Sequence, residues 1–142
     1  MALAIVSMTG CTHNNGDIGD WFGTWHLKSI AFNDSPDADY DGNIVWKFQN
    51  NIIEMIEADD AEHTALERFG TWSATDSELT LNFTHSDERY PAGTGIYQPL
   101  PATHLPAAVS TLRILKLSSS EIILQFDSED NAVIVYTLRR QG

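Results

Sequence analysis

Three aspartates alternate along Asp37-Ala38-Asp39-Tyr40-Asp41-Gly42-Asn43-Ile44, the D-x-D-x-D-G-x-I order with which calcium loops open. Hard cations need several oxygen donors on a tightly turned backbone, and Gly42 stands where that turn is sharpest. The twelfth place of such a loop holds Phe48 and not a bidentate Glu, so a complete EF-hand is excluded. Two readings stay open: calcium held weakly by Asp37, Asp39 and Asp41 with help from Asp34, Asp59 or Asp60, or an acidic hairpin that is simply solvated. His63, His85 and His104 fall on connecting segments and would meet carboxylates there as a transition-metal site, but their separations match no known ligand spacing. Nucleophilic chemistry has less support still. There is no G-x-S-x-G, no H-E-x-x-H and no phosphate loop, and nothing pairs a Ser with a His. The expectation is a protein that binds and does not catalyse, with no cofactor beyond the calcium alternative.

Charge narrows the partner. The chain carries 20 acidic against 8 basic residues, a formal net charge of −12. That excess repels phosphate backbones and anionic headgroups, which argues against nucleic acid and leaves cations or a basic protein as natural charged partners. The lone cysteine, Cys11, follows an uncharged apolar run and the small residues Thr9 and Gly10. This order resembles a lipobox, which implies a signal-peptide remnant over 1–10, a lipid on the Cys11 thiol, and a polar tether over 11–20. The alternative is a buried first strand with a free thiol. One cysteine excludes an internal disulfide, so stability must come from a core.

The elements that must position all of this are strands. From Gly23 onward, apolar and polar residues alternate in short runs broken by Gly, Asn, Asp and Ser, the period of half-buried antiparallel strands. Strands are expected near 23–32, 43–49, 52–58, 64–74, 78–84, 109–118, 121–127 and 132–140. Those at 109–118 and 132–140 are apolar on both parities, which suggests a bulge or a covered outer face. Connections alternate between tight turns (Asn50-Asn51, Thr75 to Ser77, Ser118 to Ser120) and longer, acidic ones (33–42, 59–63, 85–108, 128–131). In an all-β, eight-stranded antiparallel up-and-down barrel over 21–142, every second connection lies at one end, so the long acidic ones gather at a single mouth. The longest holds Pro91, Pro99, Pro101 and Pro106 and presents Tyr90, Ile96, Tyr97, Leu100 and Leu105 as contacts of a lid. Phe22-Gly23-Thr24-Trp25 recurs as Phe69-Gly70-Thr71-Trp72; glycine followed by a β-branched residue and tryptophan bends a strand and then anchors it.

Gly23-Thr24-Trp25 at the start of the first strand, a basic residue at Arg139 or Arg140 ending the last, and the segment Phe69 to Phe83 together resemble the bacterial lipocalin-like lipoproteins of the lipocalin or calycin group. The resemblance implies that Arg139 or Arg140 lies across Trp25 and seals the closed end. It also implies an envelope protein, anchored at the outer membrane and facing the periplasm, that binds a small apolar or amphipathic molecule in the barrel. Strand parity gives Trp46, Phe48, Met55, Trp72, Phe83, Phe126 and Tyr136 as inward residues, with Arg68 on the parity of Trp72 and Tyr97 reaching in from the lid. A barrel of this size either holds one small ligand or fills itself with side chains. The competing function is a module that docks a basic protein on its acidic rim.

Overall fold

The computed structural model describes residues 19–59, 63–106 and 108–141. The strands are β1 Gly23–Phe32, β2 Ser35–Pro36, β3 Ile44–Gln49, β4 Ile52–Asp59, β5 Thr64–Ala74, β6 Glu78–Asn82, β7 Val109–Leu117, β8 Glu121–Asp127 and β9 Val133–Arg140. Each pairs antiparallel with its neighbour, and β9 returns to pair with β1 from Trp25↔Arg140 to Phe32↔Ile134. The result is a closed barrel of eight long strands, with the two-residue β2 clipped to the end of β1. Closure removes exposed sheet edges. The short connections suit their sequences: Asn33, Asp34, Asn50 and Asn131 all take positive φ, a backbone that short polar side chains tolerate.

Two register shifts explain where simple alternation breaks down. In β1 a bulge between Leu27 and Ser29 moves the inward set from Trp25 and Leu27 to Ile30. In β7 a second, between Ile114 and Lys116, produces the apolar residues on both parities and leaves Leu115 and Leu117 exposed. No shift interrupts β9 against β8; its second apolar set, Val133 and Val135, is half-buried instead.

The tight turns, Asp20 and the end of β9 meet at the closed pole. Arg140 lies over the Trp25 ring at 4.4 Å and donates from Nη1 to Phe22 O (2.9 Å), from Nη2 to Asp20 O (2.8 Å) and from Nε to Ser119 O (2.5 Å). One fork thus ties three chain segments together while its face covers an indole. Arg139, offered by the sequence as the alternative, points elsewhere and pairs with Glu121 at 2.8 Å. Lys116 binds the other oxygen of the same carboxylate at 2.7 Å, and the two cations hold Glu121 below the usual carboxylate range, Lys116 first.

Candidate functional site: a groove at the barrel mouth

The open pole is built from the connections 33–43, 83–108 and 128–132. Because β6 pairs with β5 only from Thr71↔Asn82 to Ala74↔Leu79, the upper edge of β5 is left for another partner. The proline-rich connection takes it, with Phe69 N donating to Ile96 O at 2.6 Å. This places Tyr97 outside the barrel. Its ring meets His85 edge-on at 4.6 Å above a depression of about 290 Å³ that includes Ile52, Phe69 and Ile96. Its hydroxyl donates to Asp87 Oδ2 at 2.9 Å, which raises the Tyr97 phenol. The Tyr90 N–H and then that hydroxyl hold Asp87 below the usual carboxylate range. The expectation that Tyr97 reaches into the barrel is therefore corrected: main-chain pairing along β5 carries it past the mouth.

Further along, the same connection turns inward as a stopper. Leu100, Thr103 and Leu105 are buried around the 3-10 turn Pro101–Thr103, and the Tyr136 hydroxyl donates to Thr103 O at 2.5 Å. Burial pushes the Tyr136 phenol well up, so it stays a donor. His104 Nε2 meets Asp37 Oδ2 at 3.1 Å, and the His104 ring packs edge-on against Phe32 at 4.7 Å.

Beneath the stopper the lumen is full. Trp46, Phe48, Met55, Phe83 and Tyr136 keep no accessible surface. A void wide enough for water would leave accessible area on its lining, so these side chains touch protein on every side. Trp72 is half-buried against Trp21 (5.7 Å between ring centroids) and Phe48 (5.2 Å). Arg68 is half-buried opposite Met55, with Nη1 donating to Glu67 O. Strand parity sends all of these inward, and of the two outcomes open to so small a barrel the structure has the filled one. The indole N–H groups of Trp46 and Trp72 and the Nε–H of Arg68 are buried with no acceptor. Each such donor carries a desolvation cost of about 1–3 kcal/mol.

The space left for a ligand is at the mouth, in a groove of about 730 Å³. One wall is Phe32 with His104, Leu105 and Pro106 of the stopper; the other is Val109, Ser110 and Thr111 of β7, Phe126 and Asp127 of β8, the β8–β9 hairpin and Ile134 of β9. Phe126 and Ile134 share the inward parity of buried Leu124 and Tyr136, so the groove is the top of the lumen left uncovered by the stopper. Of the barrel residues expected to contact ligand, Phe126 alone lies here, joined by Leu105 from the expected lid contacts. Its rim carries Asp127, Glu129 and Asp130. Gln125 Nε2 (2.9 Å) and Arg113 Nη2 (3.1 Å) bind Asp127 and hold its carboxyl below the usual range, Gln125 first.

Sequence reasoning passed over Ser110. It is buried, lines the groove, and its hydroxyl has no hydrogen-bond partner. The signal was a single polar residue on the inward parity that Leu112 and Ile114 continue.

Of the aspartates expected to hold calcium, Asp60 lies outside the described residues. Asp37 is held by His104 and by the Asp39 N–H on its Oδ1 at 3.0 Å, and among the described residues no three His, Cys, Asp or Glu side chains converge on a metal position. His85 and His104 are separately engaged, by Tyr97 and Asp37. Cys11, and with it the lipidation reading, lies outside the described residues. Among the described residues no helix is long and apolar enough to cross a membrane.

A closed antiparallel barrel with a packed lumen and a groove at one pole is an architecture of the lipocalin type. The chain belongs to the lipocalin-like domain family, whose model matches residues 6–133. A solved structure of a lipocalin-like protein from Bacteroides uniformis is similar at 18% identity and a TM-score of 0.62, over 87% of this chain and 100% of that one. An uncharacterized protein from Bacteroides eggerthii is similar at 14% identity and a TM-score of 0.55, over 85% and 99% of the two chains. No curated protein matches the sequence.

Proposed function

We propose that this domain is a non-enzymatic binding module that takes one small amphipathic molecule into the groove at the barrel mouth, beside the stopper formed by Leu100 to Pro106. The observation that carries the reading is that the groove opens over Phe126, an inward-facing lumen position that stays only half-buried, while its strand neighbour Ile134 is covered. A volume of about 730 Å³ falls in the range of small-molecule pockets. Removing roughly 200 Å² of ligand apolar surface from water there contributes about 5 kcal/mol before ordering costs, so apolar burial alone gives no better than roughly submillimolar affinity and polar contacts must supply the rest.

Ala132 lines the groove at the foot of the hairpin, and its backbone is already bonded to Ser128. Ala132→Trp should fill the space and weaken binding of an environment-sensitive amphiphilic dye by tenfold or more, about 1.4 kcal/mol or above, while the thermal midpoint changes little. Undiminished dye binding in that variant would move the ligand site elsewhere. A second reading, a basic protein docked on the mouth, draws on the same three rim carboxylates. Its affinity would fall steeply as salt rises, whereas burial of an apolar tail is far less sensitive.

Lipidation at Cys11 and attachment to the outer membrane on its periplasmic side belong to the same reading. The chain enters β1 at Gly23, on the closed pole, so a tether there would leave the mouth facing away from the bilayer. Cys11→Ser is expected to shift the protein from the membrane to the soluble fraction of expressing cells. Unchanged fractionation would remove the anchor from the account.

A further inference from the structure

We infer that the mouth groove selects amphiphiles whose head is a primary or secondary ammonium, an inference that rests on the binding reading above and adds the class of ligand. Three observations converge. The groove lining includes Asp127, Glu129 and Asp130 and no Lys or Arg. Asp127 is shared with Arg113 and Gln125, but neither Glu129 nor Asp130 makes an ion pair with another described residue. Their charge faces whatever enters, within a chain of net charge −12. An anionic head would be repelled there and a cationic one attracted.

The third observation is Ser110, which is 2% exposed, lines the groove, and has an unpartnered hydroxyl. The register Arg113↔Gln125 between β7 and β8 sets Ser110 within about a residue of the level of Asp127. A buried hydroxyl without a partner is costly, and a ligand group that satisfies it regains that cost. An ammonium carrying N–H groups can donate to Ser110 Oγ and to a rim carboxylate together, while its tail lies over Phe126. A quaternary ammonium offers charge but no donor, an alcohol offers a donor but no charge, and a carboxylate at neutral pH offers neither.

The test is calorimetric titration of the purified protein at pH 7 with four ten-carbon probes below their micelle concentrations: decylamine, decyltrimethylammonium, decanol and decanoate. Decylamine should bind about tenfold tighter than decanol, the yield of one to two partly screened charge contacts, and decanoate should be the weakest. Ser110→Ala should weaken decylamine several-fold and leave decyltrimethylammonium unchanged. The double variant Glu129→Gln, Asp130→Asn should bring decylamine close to decanol, with circular dichroism and thermal midpoint confirming that both variants fold. If decanol and decanoate bind as tightly as decylamine, the charge selectivity is wrong and the groove reading survives. If none of the four binds, both fall. If Ser110→Ala weakens all four probes equally, the hydroxyl shapes the groove and does not recognise the head.

Discussion

Trp46→Ala is expected to lower the unfolding free energy by about 4 kcal/mol, the range for deleting a large buried aromatic. Trp46 has no accessible surface, pairs with Trp25 on one side and Met55 on the other, and packs against Tyr136 at 5.8 Å and Phe48 at 6.5 Å between ring centroids. Rings held by strands on every side cannot close over the void, so the cavity cost adds to the lost transfer energy. Domains of this kind have about 5–15 kcal/mol in total, so the loss will be plain as an earlier urea midpoint with little change in slope. Trp46→Phe should lose less than half as much, because it keeps a ring and deletes an indole N–H that has no acceptor. Indole added in excess should recover part of the thermal midpoint of Trp46→Ala by occupying a dry apolar hole. A loss below about 1.5 kcal/mol would contradict a lumen packed around this side chain.

Gly70→Val is expected to be the other severe change, costing about 3 kcal/mol through overpacking. A Cβ at Gly70 would stand 2.8 Å from the backbone oxygen of Asn82 and 2.8 and 2.9 Å from two carbons of the Phe83 ring. Neither neighbour can retreat, since Asn82 O belongs to β6 and Phe83 is fully buried. Gly23, the matching glycine of the first Phe-Gly-Thr-Trp, is needed for a different reason. It has a φ of +124°, and a Cβ there would meet Nη1 of Arg140 at 2.6 Å. The two copies share residues but not constraints, which favours convergence on a strand-bending device over a shared ancestral role. Denaturation of Gly70→Val alongside Thr71→Val as a neighbouring control checks the claim; equal stability of the two would refute it.

Much of the fold was legible because side chains on a strand alternate whatever surrounds them. Ile44, Trp46 and Phe48 on one parity, and Leu79, Leu81 and Phe83 on another, face the lumen in the structure as their spacing requires. Turn chemistry at Asn50, Thr75 and Ser118 marked hairpins, and hairpins in series give an up-and-down order with the long connections at one pole. The doubly apolar β7 is bulged, one of the two readings that its pattern left open.

What stayed hidden was every feature that depends on contacts between residues distant in sequence. Asp37, Asp39 and Asp41 look alike in a string of letters, yet Asp37 is claimed by His104, 67 residues away. Arg139 and Arg140 are adjacent and chemically identical, and only the register of β9 on β1 and β8 decides that one stacks on Trp25 while the other meets Glu121. Strand parity could say that Trp46, Met55 and Tyr136 point inward, but not whether anything remained between them. That turned on the proline-rich connection, whose outer half pairs along β5 and carries Tyr97 outside while its inner half drops Leu100 and Thr103 onto Tyr136. The sequence by itself determined the barrel, its polarity and the acidity of its mouth, because periodicity and turn preference are local. Only the tertiary structure decided that the lumen is closed and the groove lies beside the stopper, because filling a space is a property of all its walls at once.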